Sequence, residues 1–139
     1  MNNRAPRRVD FLKAAVKDLD RLTPALRRVA IGLVRDVSER RLDGEPLHSL
    51  ARAGDLGDCR KIYFGVGQPA SHRIVFRLLD DGSVEVVEVV AIEAREDAYV
   101  YLLASIRLGR LPSETRPQFD RLHQRLIAER GQRDKPDRP

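Results

Sequence analysis

Arg60-Lys61-Ile62-Tyr63-Phe64, His72-Arg73-Ile74-Val75-Phe76-Arg77-Leu78-Leu79 and the Val-rich run from Val84 to Ile92 are three β-patterned segments in the middle of the chain. Alternation puts Ile62 and Phe64 on one face of the first strand and Lys61 and Tyr63 on the other. In the second, Ile74, Phe76 and Leu78 oppose Arg73, Val75 and Arg77. The third is apolar enough to lie centrally in a sheet. Gly65 to Ser71 reads as a loop and Asp80-Asp81-Gly82-Ser83 as a hairpin turn, so the segments form a meander of three antiparallel strands.

Upstream, Leu12, Ala15, Val16, Leu19 and Leu22 repeat at the spacing of one helix face, which predicts a helix from Asp10 to Leu22. Thr23-Pro24 then supplies an N-cap and a proline at the first helical position, where its missing N–H costs nothing. The stripe Leu26, Val29, Ala30, Leu33, Val34 and Val37 carries a second helix towards a stop at Asp43-Gly44, with Pro46 close behind. So short a link makes the two helices an antiparallel hairpin. Arg7 to Asp10 suits a short edge strand ahead of them.

Downstream, Asp97 can cap a helix reaching about Arg107. Phe119, Leu122, Leu126 and Ile127 mark another amphipathic stretch, while Gly131 to Pro139 is polar and charged and is expected to be disordered. The expected fold is α+β: an N-terminal helical hairpin packed on one face of a small antiparallel sheet, with a further C-terminal helix. The other sheet face is expected to be free for function. In domain terms, 1–8 is a flexible basic N-terminus or short edge strand, 9–111 the folded domain, and 112–139 a charged extension with a short helix and a disordered end.

With 139 residues there is room for one core of ordinary size. The formal net charge of +5 favours an anionic partner such as nucleic acid or an acidic protein. Cys59 is the single cysteine, so no intramolecular disulfide forms and a reducing, cytoplasmic setting is expected. The basic N-terminus is followed by no apolar signal core, and no apolar run approaches membrane-spanning length. His48, His72 and His123 have no triad-like partners, Cys59 reads as a small buried residue, and Gly65-Val66-Gly67 is too short for a phosphate loop. No His, Cys and carboxylate spacing suits a metal, and no cofactor is expected.

If the apolar sheet face meets the helices, Lys61, Tyr63 and Arg73 share the open one. Arg95 follows the third strand and Tyr101 lies on or near the next helix. A cationic concavity with aromatics beside it suits a phosphate backbone and a stacked base. The same pattern also fits a solvated sheet face whose charges keep it soluble.

From about Val9 to Leu108 the sequence resembles the RelE/ParE toxin superfamily. The resemblance is carried by Val9-Asp10-Phe11-Leu12 leading into Lys17-Asp18-Leu19-Asp20-Arg21-Leu22, Pro46-Leu47, Gly54-Asp55-Leu56-Gly57-Asp58-Cys59-Arg60-Lys61-Ile62, His72-Arg73-Ile74-Val75-Phe76-Arg77 and Arg95-Glu96-Asp97 ending in Val100-Tyr101. It implies the toxin of a type II toxin-antitoxin system, closer to the RelE branch, that cuts mRNA in the ribosomal A site without metal. The 2′-hydroxyl attacks the adjacent phosphate. Lys61 is then implied as proton acceptor or phosphate contact, Arg73 as clamp on the scissile phosphate, Arg95 as stabiliser or proton donor for the leaving group, and Tyr63, Arg77 and Tyr101 as substrate-binding residues. Two positions depart from the RelE pattern: Tyr63 stands in place of a second Lys, and Glu93 in place of a Gly. The implied partners are a cognate antitoxin, the ribosome and mRNA. A non-enzymatic ParE-like inhibitor of DNA gyrase and an inactive antitoxin-binding relative are the competing implications.

Overall fold

The computed structural model describes residues 4–47, 54–80, 82–94 and 99–133, with side chains to 130. Three expectations fall outside these residues, namely His48, the Asp97 cap and the position of Arg95, as does most of the end expected to be disordered from Gly131, although residues 131–133 continue a helix instead.

Strand β1 (Arg8–Phe11) runs directly into α1 (Lys13–Arg21). The first helix therefore starts three residues later than its periodicity suggests, because Asp10 and Phe11 are consumed by strand pairing. Helix α2 (Pro24–Ser38) begins as expected: the Thr23 hydroxyl accepts a hydrogen bond from the Leu26 N–H, and Pro24 occupies the first turn. It stops before Asp43-Gly44, since Arg40 takes a left-handed backbone (φ 64°) that ends the helix first.

Strands β2 (Glu45–Pro46), β3 (Cys59–Phe64), β4 (His72–Asp80) and β5 (Glu85–Ala94) follow. Among the described residues the strands form one sheet in the order β1-β5-β4-β3-β2. The antiparallel meander is as expected, but the sheet as a whole is mixed: β1 lies parallel to β5, with Arg8 opposite Val86 and Phe11 opposite Val89. The chain leaves β1, crosses one face as the helical hairpin and re-enters at the opposite edge, so β5 meets β1 running the same way.

Helix α3 (Tyr99–Arg107), a 3₁₀ turn (Ser113–Thr115) and α4 (Arg116–Arg133) complete the chain. They fit the expected α+β architecture but correct one expectation, that the second sheet face is open. Ala15, Ala30, Val34 and Val37 of the hairpin bury Ile62, Phe64, Ile74 and Phe76 on one sheet face. The other face is not free: Val75, Val90 and Ala91 are buried under α3, which is itself covered by Phe119, Leu122 and Leu126 of α4. Tyr99 to Ser105 are all buried, which explains why α3 shows so loose a stripe in the sequence: it is enclosed on nearly every side.

A β-bulge makes this double-sided packing possible. Val75 pairs with Ala91 but Phe76 with Val89, leaving Val90 as the extra residue. Val90 and Ala91 thus both face α3, while Val89 and Ile92 face the hairpin.

The β3–β4 loop is tight. A Cβ on Gly65 would lie 1.6 Å from the Gln68 carbonyl oxygen and 2.8 Å from its carbon, both main-chain atoms. Gly65→Ala is expected to destabilise the protein by about 1–3 kcal/mol, the usual cost of forced overpacking, as read by urea unfolding. Because this loop sets the pairing of Tyr63 with Arg73, the variant should also weaken whatever those residues bind.

Candidate functional site

The register of β3, β4 and β5 places Tyr63 opposite Arg73, and Arg73 opposite Glu93, on the sheet face that looks towards α3. Lys61 lies two residues before Tyr63 on that face, and Tyr101 comes down from α3. The Arg73 guanidinium carbon lies 5.0 Å from the Tyr63 ring centre and 5.1 Å from that of Tyr101, so the cation is held between two rings. The Lys61 ammonium lies 5.0 Å from the Tyr63 ring centre. Each contact of this kind is worth about 0.5–2 kcal/mol, most where water is excluded.

Arg73 is 9% exposed and its Nε has no hydrogen-bond partner. No ion pair to it occurs among the described residues. The permanent charge of an arginine thus sits at the floor of the site, shielded by rings but matched by no carboxylate. The desolvation cost of a buried, unmatched cation amounts to several kcal/mol, and cation–π contacts offset only part of it. An anion entering the site would complete the balance.

The phenols around it differ. Hydrogen bonding to Lys61, with the charges of Lys61 and Arg73 adding to it, holds the Tyr63 hydroxyl below its ordinary pKa. The same hydrogen bond raises Lys61 above the usual ammonium value. Burial pushes Tyr101 up, against the pull of Arg73 and Lys61. Tyr63 is 37% exposed, so the more acidic phenol is also the accessible one.

Of the residues singled out in the sequence, Lys61, Tyr63, Arg73 and Tyr101 come together. Arg77 does not join them. It is four residues further along β4, where its guanidinium donates to Glu88 at 2.9 and 2.5 Å and lies 3.6 Å from Asp58. Asp58 also pairs with Arg110, which holds its carboxyl down at about 2. Arg95 lies outside the described residues. Glu93, the anion expected to disturb the site, is bonded to Arg130 of α4 at 2.5 Å.

The two described histidines serve local contacts. His72 Nδ1 lies 2.9 Å from the Ser71 hydroxyl, and His123 Nδ1 lies 2.8 Å from the hydroxyl of Tyr99. Cys59 is buried and its thiol is pushed up to about 12, chiefly by desolvation, so it stays protonated at neutral pH. Among the described residues no group of three or more His, Cys, Asp or Glu could hold a metal ion, and no helix is long and apolar enough to cross a membrane.

Two groupings escape the sequence reading. Asp18, fully buried, accepts from Arg107, Arg21 and the Ile92 N–H. A signal for it exists: Asp18 falls on the same helical line as Ala15 and Leu22, an acid on a core-facing stripe. The Arg130–Glu93 pair left no such signal, since its partners are 37 residues apart on surfaces of unknown relation.

No protein-family model matches the chain and no curated protein sequence does so. Solved structures do match. A double mutant of the E. coli toxin RelE in the free state is 25% identical with a TM-score of 0.56, covering 74% of this chain and 98% of that one. The toxin-antitoxin complex RelBE2 of Mycobacterium tuberculosis gives 24% identity and a TM-score of 0.51, over 66% and 100% of the two chains. The YoeB/ParE toxin from Agrobacterium tumefaciens gives 20% identity and 0.51, over 64% and 99%. The relatives are thus spanned almost end to end while about a quarter or more of this chain is left over. At 25% identity and a TM-score of 0.56 over nearly the whole of a RelE toxin, the chain has the RelE-like fold of the RelE/ParE toxin superfamily.

Proposed function

We propose that this protein is the toxin of a type II toxin-antitoxin pair and that its Lys61–Tyr63–Arg73 site cleaves mRNA by attack of a ribose 2′-hydroxyl on the adjacent phosphate. The observation that carries the reading is the Arg73 guanidinium, buried against two tyrosines with no carboxylate partner among the described residues. Such a cation is preorganised for a phosphate oxygen, and charge on that oxygen grows as phosphorus becomes pentacovalent.

In this reading Arg73 holds the scissile phosphate. Lys61, whose ammonium is stabilised by Tyr63, contacts a phosphate oxygen rather than accepting a proton. Tyr63 is the better acceptor: its phenol is accessible, is held below its ordinary pKa, and lies within reach of both cations. The 2′-oxygen forms its bond to phosphorus as its proton passes to Tyr63 in its phenolate form, which becomes the neutral phenol. The bond to the 5′-oxygen breaks, leaving a 2′,3′-cyclic phosphate, and the departing 5′-oxygen takes a proton from water to become a 5′-hydroxyl. Arg95 is proposed to stand by that leaving oxygen. Tyr101, 6% exposed with Arg73 against its ring, backs the guanidinium in this arrangement.

The structures of RelE-type toxins solved with their antitoxins support a cognate antitoxin here. An acidic or partly disordered segment wrapping the basic surface is the expected form.

The test is primer extension on a reporter mRNA in a cell-free translation reaction. Discrete cuts that need translating ribosomes are expected from the wild-type protein. Tyr63→Phe keeps the ring under both cations but removes the acceptor, and should slow cleavage about 100-fold, the range of a lost general base. Intact mRNA with wild-type protein would sink the nuclease reading.

A further inference from the structure

Arg73 and Glu93 are directly opposite across the β4–β5 ladder, on one face, and both are buried. Opposite charges so placed normally pair, because their Cβ atoms are only about 5 Å apart. Here they do not. Glu93 Oε2 accepts from Arg130 Nη2 at 2.5 Å, and Glu93 Oε1 lies 3.9 Å from Arg21 Nη2. Arg130 belongs to α4, which is anchored over the sheet by Phe119, Leu122 and Leu126.

We infer that Arg130 is a positioning residue for the anion site: by binding the Glu93 carboxylate it keeps Glu93 from neutralising Arg73, and so leaves the Arg73 cation available to an incoming phosphate. With Arg130 removed, Glu93 keeps only the 3.9 Å contact to the half-exposed Arg21, and its freed carboxylate oxygen turns to the guanidinium across the ladder. Its capture would convert an open anion site into a closed internal ion pair. The C-terminal stretch, read from sequence as an extension of unassigned purpose, thereby acts on the site through one side chain.

The inference about RNA rests on the reading of Arg73 as a phosphate contact, whereas the pairing itself does not, and the two are separable. The first measurement is the Nε–Hε resonance of Arg73 in ¹⁵N-labelled protein, assigned with Arg73→Lys. It is expected to shift in Arg130→Ala, as Arg73 pairs with Glu93, and to return when Glu93→Gln is added. The second is the affinity for a short 2′-O-methylated RNA, which cannot be cut. It should fall about tenfold in Arg130→Ala, within the range of couplings between groups in one network, and recover in the double variant. Arg130→Gln, which keeps more of the side chain, repeats both measurements should the alanine variant unfold. An unmoved Arg73 resonance in both Arg130 variants overturns the proposal. So does a loss of affinity that Glu93→Gln fails to restore, because Arg130 would then be supporting α4 alone. Failure of the wild-type protein to bind RNA would reject the RNA reading, with the resonance still deciding the pairing.

Discussion

Asp18→Ala is expected to cost about 3–5 kcal/mol of folding stability, the usual penalty for breaking a buried ion pair from one side. The Asp18 side chain is wholly buried and accepts from Arg107 at 2.5 and 3.0 Å, from Arg21 at 2.6 Å and from the main-chain N–H of Ile92 at 3.0 Å. It therefore joins α1, β5 and α3 at one point. Arg107, 12% exposed, also donates to the Val90 carbonyl in the bulged part of β5. Removing the carboxylate leaves a guanidinium and an N–H without their acceptor in a place water does not reach. Against a total stability of about 5–15 kcal/mol for a domain, such a loss approaches unfolding. Urea denaturation at neutral pH is the measurement. Adding Arg107→Met should recover part of the loss, since replacing both partners by apolar groups removes the unpaired charge. A loss under about 1 kcal/mol in the single variant would show that the network tolerates water and is no keystone.

Arg73→Ala should behave in the opposite way, with activity lost and stability nearly kept. Its two ring contacts stabilise the fold by about 0.5–2 kcal/mol each, but the variant also removes a buried cation that no carboxylate matches. The two effects oppose one another, so unfolding should move by roughly 1 kcal/mol or less. Cleavage should fall about 10²–10³-fold, the scale set by losing one preorganised donor to developing negative charge. Arg73→Lys should restore little of it. A point charge on a flexible stem cannot match a planar guanidinium against both Tyr63 and Tyr101 or offer a forked pair of donors. Primer extension measures the activity arm and circular dichroism the fold. Retained cleavage in a folded Arg73→Ala protein would remove Arg73 from the mechanism.

Much of the architecture was legible because it is local. The alternation of Lys61-Ile62-Tyr63-Phe64 and Arg73-Ile74-Val75-Phe76 assigns each side chain to a face before any packing is known. Thr23-Pro24 marks the start of α2 through backbone chemistry confined to one turn. The meander follows from connections short enough to return each strand beside the one before it. For the same reasons Lys61, Tyr63 and Arg73 could be grouped: they belong to adjacent strands of one hairpin.

What was misjudged depends on partners far along the chain. The sheet face expected to be open is covered by α3 and α4, and nothing in Val75 or Arg73 alone says which is buried under a helix and which lines a site. The parallel placement of β1 rests on a register shared with residues about 78 positions away, written in a four-residue strand too short to specify it. Arg77 and Arg73 look alike in the sequence, both cations on the same strand face. Glu88 and Asp58 claim the first, and Arg130 draws the carboxylate away from the second.

By itself, then, the sequence determined the elements, the faces of the strands and the set of cations, since period, capping and turn chemistry act within a few residues. Only the tertiary structure decided which cation stays uncommitted. That choice is made by the competition of carboxylates for arginines, and for Glu93 it is settled only once α4 has closed over the sheet and brought Arg130 to it.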